Sequence, residues 1–562
     1  MRFLLSEYVN LLKEDGELDT LITDLLVAMK CVTISKPQRG RQYGVDIAAE
    51  GIDVVDSKKK IFLFAVKQGN LTRSTWDGNI NAVRSSLNQI RDSYIPISLP
   101  KTKSNLPIKI VVATNGVINQ NVLVDWAQYI NQNSTDDIEY DFWGTGELSA
   151  MLDEYLISEK LFPTEYQSLL RKTLAFLDLP DYNLSHFFDL LDLIFSKQFK
   201  QKRQIQKKLR LARLCLNILY KWSHDINNLK PAIYGSERTV LRSWHFLQSG
   251  NHLDKKFVSK EFYQIYLLKR AIGINYFNKV HKHYQTEHSL YRYSRNSLEY
   301  GLNLWHEIGI ISEIGLSEIQ QFKIYFREEK KEDSLVFYNS ATSIANALCM
   351  FIANNPPAKY PNYDEHGIEI ALALQLLCLT NNTETAKIWI RNLIVGYKET
   401  YHIQKTIPLF IADYDRLVDI INGDEKCNID SSMIIPILAE HAIILEDADL
   451  YELIRKVVED DVFKDLNLQI WFPTRKMEES IFKNNYSKVE GKLKHSVTLY
   501  KNLEEYRTEI ISEVELYSVE KEFKVVENGF DNILFTASRH YRGQPFPYTW
   551  RKFIKLNTKA NH

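Results

Sequence analysis

Cysteine is scarce. Five residues (Cys31, Cys215, Cys349, Cys378 and Cys427) are scattered over 562 positions. None forms a CxxC pair, which excludes a zinc-ribbon spacing and a disulfide framework. An odd, dispersed set fits a reducing compartment. Charge of one sign is also lacking. Lys and Arg number 70 against 71 Asp and Glu, a net charge of -1. A nucleic-acid surface would therefore have to be a local patch rather than a property of the whole molecule. No apolar run reaches the roughly 20 residues that span a bilayer. The opening MRFLLSEYVNLLKEDGE lacks the layout of a secretory signal. No GxxxxGK[ST] loop is present, so no built-in NTPase is indicated, and no fixed repeat period emerges. Together these absences predict a cytoplasmic protein.

What is present divides by periodicity. Leu18, Leu21, Ile22, Leu25, Leu26 and Met29 recur at helical spacing, so residues 1–30 read as helix. KPQRGRQYG (36–44) is a polar, basic loop. GVDIAAEGIDVV (44–55) reads as a strand, DSKKK (56–60) as a turn, and IFLFAVKQG (61–69) as a second strand. IFLFAV is continuously apolar, as a central strand covered on both faces would be. SSLNQIRDSYI (85–95) follows as helix, KIVVATNG (109–116) as strand, and VLVDWAQYINQ (122–132) as helix. IEYDFWG (138–144) is a strand and TGELSAMLDEYL (145–156) a helix. Alternating strands and helices predict an α/β domain with a central mixed sheet, placed at 1–162. Beyond it, strand-like runs become rare. Residues 163–562 read as a large all-α region, with a further break near 330–360.

The hairpin at 44–67 carries the chemistry. A turn near Ser57 puts Asp46 opposite about Lys67, with Asp46, Ala48 and Glu50 on one face alongside Ala65 and Lys67. A carboxylate there offers oxygen to a hard divalent cation. A lysine there can stabilise a phosphate or orient a water, and the Val66 carbonyl adds another oxygen. Lys67 directly follows six apolar residues, where an unpaired charge is costly. By contrast, Asp53, Asp56 and Lys58–Lys60 read as a solvated turn.

The order of these pieces resembles the restriction-endonuclease-like nucleases, the PD-(D/E)XK superfamily, in its Mrr-like branch. The pieces are LDTLITDLL (18–26), GVDI (44–47), AVKQ (65–68) and the helix at 85–95. VVATNG and FWGTGELSAML look like the closing elements, and the resemblance covers about residues 10–160. It implies a magnesium- or manganese-dependent endonuclease acting on DNA, with RNA not excluded. Asp46 and Asp19 would be metal ligands and Lys67 the catalytic lysine. The chain departs from the pattern at Ala65, where the family has Glu, Asp or Gln. Three readings of that departure stand open: Glu50 supplies the second carboxylate, Gln68 contributes although alternation points it away, or the domain binds nucleic acid without cutting it. A nuclease joined to a helical sensing region resembles bacterial antiviral defence proteins, which implies a homodimer or a partner defence protein. A helical interaction protein with an incidental N-terminal domain is the remaining alternative.

Other candidates are Lys36, Arg39 and Arg41 for phosphates, and Gln68, Arg73 and Trp76 along a substrate groove, Trp76 as a stacking platform. Residues 197–213 form a basic helix. Residues 539–555 interleave basic and aromatic side chains, which suits a packed terminal segment or a docking tail. Arg238 and His245 have the spacing of HEPN-type ribonucleases, without the polar residue usual beside the arginine. HKHYQTEH (281–288) offers three histidines but no completing metal partners.

Overall fold

The computed structural model describes the chain apart from residues 1–5, 7, 8, 11, 13, 36–42, 79–81, 100–104, 157–163, 178, 180, 181, 254, 255, 405, 406, 410, 411, 427–430, 461, 462, 464, 465, 484–491, 494, 495 and 556–562. It divides into two compact units. One is Met1–His186 with Asn217–Ile226, the other Phe187–Leu216 with Asn227–His562.

The first unit is built on a five-stranded mixed sheet in the order β1-β2-β3-β4-β5. The strands are β1 Val32–Ser35, β2 Ile47–Ile52, β3 Lys59–Lys67, β4 Ile108–Thr114 and β5 Ile138–Trp143. The first three run antiparallel, and β3, β4 and β5 run parallel. The flanking helices are α1 Asp19–Ala28, α2 Arg73–Asp77, α3 Val83–Gln89, α4 Gln120–Asn133 and α5 Thr145–Met151. The continuous apolar run does form the central strand: Ile61 to Val66 are all buried. One face packs Ile61, Leu63 and Ala65 with Ile110 and Val112 against Val83, Leu87, Trp126 and Tyr129. On the other face Phe64 meets Trp143 edge-on, with ring centroids 5.0 Å apart.

The β2–β3 register differs from the sequence expectation by two residues. Ile47 pairs with Phe64, so Asp46 stands opposite Ala65 rather than Lys67. The cause is the turn. The Asp53 carboxylate accepts the Val55 N–H at 3.0 Å, and Asp53 N–H donates to the Lys58 carbonyl at 2.8 Å. This asparagine-type turn closes the hairpin earlier than a turn centred at Ser57. A slip of two preserves the faces, so Asp46, Ala65 and Lys67 remain on one side.

Asp56, Lys58 and Lys59 are exposed as a solvated turn requires, but the other two hairpin charges are not. Asp53 and Lys60 are buried and joined at 2.9 Å. Lys60 also reaches Asp56 at 2.8 Å. The buried Lys109 reaches Asp53 at 3.0 Å and Asp141 at 3.2 Å. Burial alone would raise the Asp53 carboxyl, but hydrogen bonds from Lys60, the Val55 N–H and Lys109 outweigh it and bring it to about 2.

The second unit is helical. Its longest element is the helix Ser297–Arg327, which is followed by the helix Lys331–Ala353. They pack as a hairpin turned at Glu329, whose φ is +61°. The second of these covers 331–353 of the 330–360 stretch, and a 3-10 turn, Pro356–Lys359, follows it. Among the described residues Lys331–Ala353 is the one helix long and apolar enough to cross a membrane, a test that a core helix also passes, so the apolar-run expectation is qualified here. The basic stretch is helical over Lys202–Asp225. The terminal segment is packed rather than free. Arg551 is fully buried, bonded to Glu440 at 2.6 Å and Glu513 at 2.8 Å. Arg238 is likewise buried and held by the Tyr541 hydroxyl at 2.8 Å and by Asp192, so it is committed to the core rather than presented to a substrate.

Candidate active site

Asp46 lies just before β2, where backbone geometry leaves little freedom. Gly44 has φ +79°, and a Cβ there would stand 2.4 Å from the Ser86 carbonyl oxygen. Only glycine fits that approach. The Asp46 N–H donates to the Phe64 carbonyl at 2.8 Å, and its Oδ2 accepts the Val66 N–H at 2.7 Å. A residue's N–H and C=O lie on the same edge of a strand, so the Val66 carbonyl also faces the Asp46 side of β3.

Lys67 ends β3 and is partly exposed. Its Nζ stands 3.4 Å from Glu14 Oε1, while Glu14 Oε2 accepts the Gln68 N–H at 3.1 Å. Glu14 was not singled out from sequence. It opens a short π-turn, Glu14–Leu18, that leads into α1. Asp19, the first residue of α1, is buried, and its Oδ1 accepts the Thr20 N–H at 2.6 Å. Burial raises the Asp46 carboxyl above the usual range. The Val66 N–H and Lys67 oppose this, and the charges of Glu14 and Asp19 reinforce it. Asp46, Lys67, Glu14 and Asp19 therefore share one electrostatic neighbourhood.

The segment bearing Glu14 is held by Asn115. The buried Asn115 side chain donates to the carbonyls of Leu12 at 2.6 Å and Asn10 at 3.1 Å. Its Oδ1 accepts the Gly69 N–H at 2.5 Å. Thr145 Oγ1 reaches Asn10 Oδ1 at 2.7 Å. The ends of β3 and β4 are thus stapled to the N-terminal segment around a cleft of about 160 Å³. Glu14, Lys67, Gln68, Gly69, Asn70, Leu71, Thr75, Ala82, Val83, Val112 and Thr114 line it.

The remaining predicted residues fall elsewhere. Glu50 does not join Asp46: four residues along β2 separate them by about 13 Å, and Glu50 pairs with Lys59. Trp76 is no stacking platform. It is 3% exposed, its ring 5.8 Å from Trp126 and 5.6 Å from Tyr129. Arg73 is exposed on α2 and is not among the residues lining the cleft. The side chain of Gln68 is exposed at the cleft mouth. Lys36, Arg39 and Arg41 lie outside the described residues.

Among the described residues, no three His, Cys, Asp or Glu side chains converge as a metal cage. Magnesium does not require one. It is commonly held by one or two carboxylates together with substrate phosphate oxygens. Asp46 has one oxygen engaged by the Val66 N–H, and the two Glu14 oxygens are engaged by Lys67 and by the Gln68 N–H. No family model, curated protein or solved structure matches the chain.

Proposed function

We propose that the first unit hydrolyses phosphodiester bonds with magnesium or manganese, as an endonuclease of the restriction-endonuclease-like kind, acting on DNA in defence against foreign nucleic acid. The observation that carries this reading is the pairing of Lys67 with Glu14 in one cleft at the ends of β3 and β4, with Asp46, which does not itself line the cleft, bonded to the N–H of Val66 directly before Lys67. Asp46 and Glu14 are the residues that would hold the ion, with Asp19 behind them and the Val66 carbonyl on the same edge. The ion would polarise the phosphate and lower the pKa of a bound water. Lys67 is placed to offset charge developing on the phosphate. Glu14 takes the role that Ala65 leaves vacant.

Size supports a polymer substrate. Pockets that enclose a whole small molecule hold about 300–1,000 Å³. A cleft of about 160 Å³ suits one group of a larger ligand. The second reading, a fold that binds nucleic acid without cutting it, draws on Ala65, which is fully buried in the apolar cluster. Incubation with plasmid and with single-stranded DNA and RNA, in magnesium, manganese or EDTA, tests the proposal. Cleavage that needs the metal and disappears in Asp46→Ala and Lys67→Ala supports it. Cleavage that survives both substitutions refutes this site, and metal-dependent binding without cleavage favours the second reading.

A further inference from the structure

The second unit carries a patch that the proposed cleavage site does not use. Residues 281–296, HKHYQTEHSLYRYSRN, join the helices Lys256–Val280 and Ser297–Arg327. They hold three permanent cations, Lys282, Arg292 and Arg295, against a single acid, Glu287. The segment is ordered by its own contacts rather than open. It contains two 3-10 turns, His281–His283 and Tyr291–Tyr293. Tyr284 is buried, with its hydroxyl 2.7 Å from Glu307. The His288 N–H donates to the Asn354 carbonyl at 3.1 Å, and Asn354 Nδ2 donates back to the Tyr284 carbonyl at 2.8 Å. Asn303 holds Ser294 Oγ at 3.2 Å.

On this fixed base two aromatic side chains face solvent. Tyr291 is 54% exposed and Tyr293 is 78% exposed. Lys282 and Arg292 are exposed, and among the described residues neither has an acidic partner within ion-pair distance. The Arg295 side chain is 85% exposed and stands 3.8 Å from Glu299. The Tyr291 ring meets Tyr300 edge-on at 5.6 Å and leaves its outer part exposed, while Tyr293, two residues on, stands almost wholly in solvent beside cations of which Lys282 and Arg292 have no acidic partner among the described residues. Rings and cations match the two needs of an unpaired strand: faces for bases to stack on, and charge for its phosphates. A duplex hides its base faces, so it would use only the charge. A peptide adding as a strand would need a sheet edge, and this segment contains no strand.

We infer that the 281–296 segment is a binding platform for single-stranded nucleic acid, with Tyr291 and Tyr293 stacking on bases and Lys282, Arg292 and Arg295 meeting phosphates. The inference does not depend on the cleavage reading. Fluorescence anisotropy with labelled oligo-dT and oligo-U of about 20 nucleotides, in EDTA, measures the platform without hydrolysis. The full chain should bind, with affinity falling as salt rises. Tyr291→Ala with Tyr293→Ala should weaken binding about tenfold or more. Arg292→Ala with Arg295→Ala should weaken it and lower the salt slope by about 1.4, at about 0.7 per phosphate contact. All four side chains are largely exposed, with Tyr291 alone making a ring contact, to Tyr300, so thermal melting should change little. No binding at about 50 mM salt overturns the inference and leaves the patch to a protein partner. Parent-like binding by both double variants also overturns it. Failure of cleavage with this binding intact strikes the nuclease reading alone.

Discussion

Asn115 is where the account of the site is most exposed to a simple perturbation. Its buried amide makes three hydrogen bonds, to the Leu12 and Asn10 carbonyls and from the Gly69 N–H. Asn115→Ala removes all three and creates no clash. At a net contribution of about 1 kcal/mol each, the loss is about 3 kcal/mol. It falls on the segment that carries Glu14 and on the exit of β3. A local opening energy reduced by about 3 kcal/mol raises the open population about 100-fold. Hydrogen-exchange mass spectrometry reads this directly. Peptides covering Asn10, Leu12 and Glu14 should exchange much faster in the variant, while peptides from the helix Ser297–Arg327 should be unchanged. Cleavage, where present, should fall with the loosened Glu14. Parent-like exchange in the Glu14 peptides would refute the claim that Asn115 holds this acid in place.

Two further predictions follow from burial. Trp76→Ala removes a ring packed between Trp126 and Tyr129 and should cost about 3–5 kcal/mol, seen as a lower urea midpoint; a stable variant with weaker nucleic-acid binding would contradict the core placement. Glu520 is fully buried, and burial, opposed only in part by the backbone N–H groups of Glu520 and Tyr548 and by Arg551, raises it to about 7. The folded state therefore holds a proton that the unfolded state has released. Stability should fall as pH rises from about 4.5 to about 7 and stay level above, by roughly 3 kcal/mol. Glu520→Gln should raise the melting temperature at pH near 8 and leave it unchanged near pH 4; an equal effect at both would contradict this.

The parts of the fold legible in sequence were those set by local pattern. The continuous run 61–66 announced a doubly covered strand, and the helix–strand alternation after it announced a sheet. β1 escaped notice because Val32–Ser35 is only four residues long, too short for its period to show. The register slipped because it depends on the Asp53 side chain bonding to Val55, a contact that composition does not reveal. Lys60 read as part of a solvated turn; it is buried because Asp53 and Glu139 of β5 neutralise it. Asp46 and Lys67 were visible from their placement at strand ends. Glu14 was not, because its position depends on Asn115, which bonds to a carbonyl 103 residues away. Trp76 reads equally well as core or as platform until the neighbouring aromatic rings are known.

The most direct test of the central claim compares Glu14→Gln with Glu50→Gln in the metal-dependent cleavage assay. Both acids are candidates for the role that Ala65 leaves open, and only Glu14 stands beside Lys67. The account predicts that Glu14→Gln loses cleavage while Glu50→Gln cuts like the parent. Loss in Glu50→Gln with activity retained in Glu14→Gln would contradict it.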